Sequence, residues 1–123
     1  MGFAHLTLAT RDVEKTASFL EQTLGYPRDP VPDNVPCDSV WLNLGSGQQL
    51  HVTYVDPFNV SPFEGEFGRH VALSYPRAQL ETLKQSLLQR GAELIEPLRS
   101  TLFERFFFRE PVNGYVFEVI GQD

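Results

Sequence analysis

Three histidines and one carboxylate stand where chemistry can be done. His5, His51 and His70 are the only histidines of the chain. Glu118 lies inside Tyr-Val-Phe-Glu-Val-Ile, a nearly continuous apolar run. An ionised carboxylate in such a run is costly unless it is paired or bound to a cation. A lone histidine on a strand is usually a satisfied core or surface residue. These four positions, however, are related to one another. His5 and His70 are offset by 65 residues, and His51 and Glu118 by 67. Imidazole and carboxylate together suit Fe, Mn, Ni, Co and Zn. A set of three imidazoles and one carboxylate on an octahedral ion leaves two neighbouring positions open. Those suit a substrate with two adjacent oxygens.

The elements that would carry these residues repeat. Residues 5–9 read His-Leu-Thr-Leu-Ala and residues 70–74 read His-Val-Ala-Leu-Ser. Each alternates as a strand with an apolar face and a face of histidine and small groups. On that pattern His5 and Thr7 share a face opposite Ala4, Leu6 and Leu8. A helical stripe follows each copy: Val13, Ala17, Leu20 and Leu24 in the first, and Leu80, Leu83, Leu87 and Leu88 in the second. Asp12 is the expected N-cap of the first helix, and Gly25 and Gly91 are the expected stops. Strand-like segments come next, at about 27–35, 39–45 and 48–55, then at about 92–98, 104–110 and 115–121. Ser46-Gly47 and Asn113-Gly114 are hairpin turn signals. Each half reads β-α-β-β-β, an α+β pattern. The expected divisions are a first module at 1–55, a linker at 56–69 rich in proline and glycine, and a second module at 70–123. Phe3, Leu6, Leu8, Phe19, Leu20, Leu24, Val71, Leu73, Leu83 and Leu87 are expected to pack under the two helices.

Composition narrows the function. A chain of 123 residues forms one domain, here of two modules. With a net charge of −6 and only two lysines, Lys15 and Lys84, it has no basic stripe for nucleic acid. No long apolar stretch or basic leader is visible, so neither a membrane span nor a signal peptide is expected. A cytoplasmic location follows as the default. Cys37 is the only cysteine, which excludes an intrachain disulfide and a cysteine-rich zinc motif.

The stretch from His5 to Tyr26 carries His, Leu-Ala, Arg-Asp, Lys, Phe-Leu and Leu-Gly-Tyr at the spacings His5, Leu8-Ala9, Arg11-Asp12, Lys15, Phe19-Leu20 and Leu24-Gly25-Tyr26. With Trp41-Leu42-Asn43-Leu44-Gly45 and Leu50-His51-Val52, it resembles the first module of the glyoxalase, bleomycin resistance and extradiol dioxygenase superfamily. His70-Val71-Ala72-Leu73 and the ending from Arg105 to Glu118 resemble the second. The resemblance implies paired βαβββ modules curled into an open, cup-shaped sheet around one divalent ion (Ni, Zn, Mn, Co or Fe). It implies His5, His70 and Glu118 as ligands, with His51 either a fourth ligand or an acid/base group beside the ion. Glyoxalase I usually has a carboxylate where His51 stands, and related epimerases an amide. The leading expectation is proton transfer on a small substrate with vicinal oxygens, of glyoxalase I or epimerase type, with Glu118 or His51 moving the proton. The alternatives are Fe(II) extradiol ring cleavage, thiol transfer to an electrophile, and metal-free drug binding. In the last, Trp41, Tyr54 and Phe106–Phe108 would line the cup, although aromatic residues of this kind more often form a sheet core. The family often builds its site across a homodimer, which makes a second copy the expected partner.

Overall fold

The computed structural model describes residues 2–123. The chain divides into two compact units, one ending at Asn59 and the other beginning at Val60. Each is a four-stranded open sheet with one long helix on it, the α+β arrangement of two βαβββ modules expected from the repeat.

In the first unit, β1 (His5–Thr10) leads into α1 (Val13–Leu24), followed by β2 (Arg28–Asp29), β3 (Ser39–Gly45) and β4 (Gln48–Tyr54). The sheet order is β1-β4-β3-β2, with β1 and β4 parallel. Asp12 caps α1 by accepting from the Lys15 amide, and Gly25 ends it in the left-handed region at φ 80°. The turn Ser46-Gly47 has φ 52° and 76°, the two positive values of a tight hairpin turn. Leu8, Leu42, Leu50 and Val52 bury one face of the sheet, and Val13, Ala17, Leu20 and Leu24 the inner stripe of α1.

The second unit repeats this order. It runs β5 (Val71–Pro76), a 3₁₀ turn (Arg77–Gln79), α2 (Leu80–Gln89), β6 (Glu93–Ile95), β7 (Arg105–Arg109) and β8 (Val116–Gln122). The sheet order is β5-β8-β7-β6, the same with each strand replaced by its counterpart. Helix α2 ends as expected at Gly91, φ 92°. There the Ala92 amide donates to Leu87 O and the Gly91 amide to Leu88 O, a paired closure of the last turn. Leu73, Phe106, Phe108, Phe117 and Val119 are buried on one side of the sheet, and Leu80, Leu83 and Leu87 are the buried stripe of α2.

Several expectations need correction. Phe3 is 83% exposed and Leu88 50%, so neither belongs to the core. Ala4 is exposed as well. Phe3 and Ala4 precede the first strand pair and have no sheet to pack on, and Leu88 lies one residue, about 100° around the helix, beyond the stripe ending at Leu87. The expected strand over 27–35 contracts to Arg28–Asp29, because Pro27, Pro30 and Pro32 cannot donate to a ladder. The strand over 92–98 contracts to Glu93–Ile95 for a similar reason, with Pro97 next in line. The turn at Asn113-Gly114 is part of a wider loop, in which the buried Glu110 carboxylate accepts from the amides of Val112, Asn113 and Tyr115. Phe106, Phe107 and Phe108 are 4%, 1% and 0% exposed, which makes them core. Among the described residues, no helix is long and apolar enough to cross a membrane.

Candidate metal centre

In the first unit, the register places the polar residues of neighbouring strands on one face. His5 lies opposite Gln49 and Thr7 opposite His51. Trp41 lies opposite His51 across the antiparallel pair, and Asp29 opposite Trp41. The His51 imidazole is held between two rings. His5 stacks on it at 4.0 Å between centroids and 9° between planes, and Trp41 at 3.9 Å and 2°. His51 Nε2 is 2.9 Å from Gln49 Oε1. Burial, and then the neighbouring His5, hold the His51 imidazole below its ordinary pKa. His51 is therefore kept neutral, the form that offers a lone pair.

In the second unit, His70 stands just before β5. Its Nδ1 is 3.0 Å from Gly65 O. A carbonyl oxygen only accepts, so Nδ1 carries the proton and the lone pair of a neutral ring sits on Nε2. That Nε2 is 3.3 Å from Glu118 Oε1. An imidazolium Nε2–H would donate to Glu118 Oε1, whereas a neutral ring leaves two acceptors that a divalent ion could join. Neighbouring donors on an octahedral ion with bonds of about 2.0–2.2 Å lie roughly 3 Å apart, so the pair fits a divalent ion. The Nδ1–H bond to a backbone carbonyl is also the usual way a ligating imidazole is oriented.

Glu118 is held from its other side. Its Oε2 accepts from Arg105 Nη1 at 3.0 Å. Arg105 Nη2 donates to Glu66 Oε2 at 3.1 Å and to Arg99 O at 2.6 Å. The side chains of Arg105, Glu66 and Glu118 are only 3%, 8% and 9% exposed. Burial would weaken the Arg105 cation, but its bonds to Glu118 and Glu66 outweigh this and raise its pKa. Burial likewise pushes the Glu66 carboxyl up. The amides of Leu98 and Arg99, with Arg105, outweigh that and hold it below its ordinary range. Arg105 Nε is buried with no hydrogen-bond partner among the described residues.

Each unit thus supplies two of the expected ligand residues. His5 and His51 come together in the first, and His70 and Glu118 in the second. Within either unit, no group of three or more His, Cys, Asp or Glu among the described residues is placed to hold a metal. In the first unit the donor types fit an ion, but the His5 and His51 rings lie face to face. Shared coordination asks the exposed His5 to turn about its side-chain torsions.

Sequence reasoning missed Arg105, Glu66, Gln49 and Asp29. Arg105 had a signal: it precedes Phe106-Phe107-Phe108 and alternates onto the face of β7 that meets Glu118. Gln49 had one too, two residues before His51 on the same strand face. Glu66 lies in an irregular segment with no periodicity to read.

Comparison with known proteins bears on the fold and the family. A comparison with curated proteins finds no match. Solved structures match closely in fold. A Bacillus anthracis protein assigned to the glyoxalase family is 22% identical with a TM-score of 0.80, covering 100% of this chain and 96% of that one. The fosfomycin resistance protein FosX of Listeria monocytogenes, as a variant complexed with Mn(II) and a dihydroxypropylphosphonic acid, is 16% identical with a TM-score of 0.77. That match covers 99% of this chain and 92% of the other. FosX of Mesorhizobium loti is 14% identical with a TM-score of 0.75, over 99% and 92% of the two chains. At such identities these likenesses establish the fold. Sequence goes further, because a family model matches residues 2–119, nearly everything from the first strand to the carboxylate of the last. The chain belongs to the Glyoxalase/Bleomycin resistance protein/Dioxygenase superfamily.

Proposed function

We propose that this chain is a divalent-metal enzyme in which His5, His51, His70 and Glu118 hold one ion and a small substrate with two adjacent oxygens is processed by proton transfer. The observation that carries this reading is the His70–Glu118 pair. The Gly65 carbonyl accepts from His70 Nδ1, and Nε2, which carries the lone pair when the ring is neutral, lies 3.3 Å from Glu118 Oε1. The Mn(II) and small phosphonic acid bound by the Listeria FosX support a metal and an oxygen-rich ligand for this chain too.

When bound, the ion would supply a Lewis acid able to polarise neighbouring substrate oxygens. The chain's own residues do the remaining work. Arg105 occupies Glu118 Oε2, which leaves Oε1 as the end that faces His70 Nε2. His51, neutral and 8% exposed, has the lone pair needed to accept a proton from carbon or oxygen. Trp41 and His5 cover both faces of its ring and keep bulk water from them. Glyoxalase I or epimerase chemistry is the reaction class these parts suit best. We place the site in a homodimer, since each unit holds only a pair of ligands and a second copy is one source of the other pair.

Metal analysis of protein purified without chelators tests this. One ion of nickel, zinc, cobalt or manganese per chain is expected, in a particle that light scattering sizes as a dimer. His70→Ala should lower metal affinity at least tenfold. Unchanged metal content in that variant would sink the assignment, and stoichiometric iron would move the reading to ring-cleaving dioxygenase chemistry.

A further inference from the structure

A second set of polar contacts reaches His51 through Gln49. Gln49 Nε2 is 2.8 Å from Asp29 Oδ2, and Asn43 Nδ2 is 3.4 Å from Asp29 Oδ1. A carboxylate can only accept, so Gln49 must present its NH₂ group to Asp29. That orientation leaves the Gln49 carbonyl oxygen facing His51 Nε2 at 2.9 Å. A carbonyl oxygen can only accept as well, so the proton of the neutral ring must sit on Nε2. The lone pair is then on Nδ1.

From this we infer that Asp29 and Gln49 form a positioning relay that sets the tautomer of His51 and assigns Nδ1 as its working nitrogen. The carboxylate fixes the amide, the amide fixes the proton, and the proton fixes the free lone pair. Ring packing completes the device. A half-turn of the imidazole would exchange its two edges, but His5 and Trp41 lie against its faces at 4.0 and 3.9 Å and hinder that turn. The three residues come from two strands, β2 for Asp29 and β4 for Gln49 and His51, with Asn43 of β3 steadying the carboxylate. This gives the two-residue strand β2 a purpose beyond extending the sheet. The second unit fixes His70 oppositely: there a backbone carbonyl takes Nδ1–H and frees Nε2. The two imidazoles are thus prepared with opposite nitrogens exposed.

That Nδ1 serves a metal or a proton rests on the proposed function, but the tautomer does not, and the test separates them. The full chain, metal-free and carrying isotope-labelled histidine, is examined by long-range proton–nitrogen correlation NMR at about pH 8, where an imidazole is neutral. His51→Gln identifies the His51 signals by their loss. His51 is expected to show a protonated Nε2 and a bare Nδ1. In Asp29→Asn the new amide can donate to the Gln49 oxygen and let that side chain reverse, so the Nδ1–H form should appear. Gln49→Met, which removes the acceptor, should release the same form if Asp29→Asn fails to fold. In either variant, affinity for Mn(II) should fall about tenfold, the usual scale for groups that orient a ligating histidine. An Nδ1–H ring in the unmodified protein, or a pure Nε2–H ring that persists in the variants, overturns the relay. A tautomer that shifts as expected in a chain that binds no metal leaves the relay standing and removes the metal reading alone.

Discussion

Arg105 decides how the carboxylate of the second unit behaves. With Glu118 and Glu66 on its two ends, it is the only cation among three side chains that are all nearly enclosed. Removing it leaves two carboxylates facing each other across the vacated space. Arg105→Met should therefore lower the melting temperature of the metal-free protein. The same change removes a positive charge beside the proposed ion, so added Mn(II) or Zn(II) should raise the melting temperature more in the variant than in the parent. Thermal melts of both proteins with and without metal check this. An equal or smaller metal increment in the variant would mean that Arg105 and the ion do not share Glu118. At this scale the sequence shows four candidate donors, because His5, His51, His70 and Glu118 stand at repeat-related positions. It does not show their partners. Glu66 reaches Arg105 across 39 residues of chain, and no local pattern records such a meeting. Gln49 and Asp29 are ordinary polar residues until the register of three strands is known.

The strands carry most of what sequence alternation can express. Thr7 lies opposite His51, and Ala72 opposite Glu118, so the repeat in sequence is a repeat in register. Leu73 is the inward residue of β5, 7% exposed. Leu73→Ala should cost about 2–5 kcal/mol in denaturant unfolding, the range for a truncated core leucine. A loss below about 0.5 kcal/mol would show that the inward face of β5 lies on the other side. Helix ends were equally readable, since Asp12, Gly25 and Gly91 act through local backbone chemistry. Strand lengths were less so. The extent of β2 and β6 is set by how many unbroken amides can reach the neighbouring strand, and the prolines around them shorten both. Leu88 shows the complementary error, an apolar residue read as core because it adjoins the helical stripe.

Stability of the whole molecule should respond to acid through Glu64. Its side chain is 2% exposed. It accepts from both ends of the Arg69 guanidinium, from Ser61 Oγ at 3.2 Å and from the Val116 amide at 2.8 Å. Burial raises its carboxyl pKa. The bonds from Arg69, Val116 and Ser61 outweigh that, and the net position lies below the ordinary value of 4.5. A carboxyl depressed in the folded state contributes stability that is complete above its unfolded pKa and is lost as pH falls through the folded value. Unfolding midpoints should therefore hold near neutral pH and drop below about pH 4.5. Glu64→Gln should be less stable at neutral pH and show a shallower acid decline. A decline as steep as the parent's would assign the acid sensitivity to other carboxylates. The division of the chain between Asn59 and Val60 falls within the 56–69 segment. Glu64 and Arg69 belong to the second unit, although their segment reads as a connector by its prolines and glycines.

The enclosed group of Glu66, Arg105 and Glu118 would also set an electrical balance for a substrate of the proposed reaction. Two carboxylates and one guanidinium carry one net negative charge. A divalent ion beside them, with neutral imidazoles, turns that into one net positive charge. A substrate that gains a single negative charge as it reacts would then bring the enclosure to neutrality, whereas one arriving doubly charged would overshoot it. Singly charged analogues should therefore inhibit the metal-loaded protein more strongly than neutral or doubly charged ones of the same shape. The preference should weaken in Arg105→Met, where the loss of one positive charge lets the ion alone neutralise the two carboxylates. Competition measurements with such a matched series read this directly, and an identical ranking in both proteins would show that net charge plays no part in the choice.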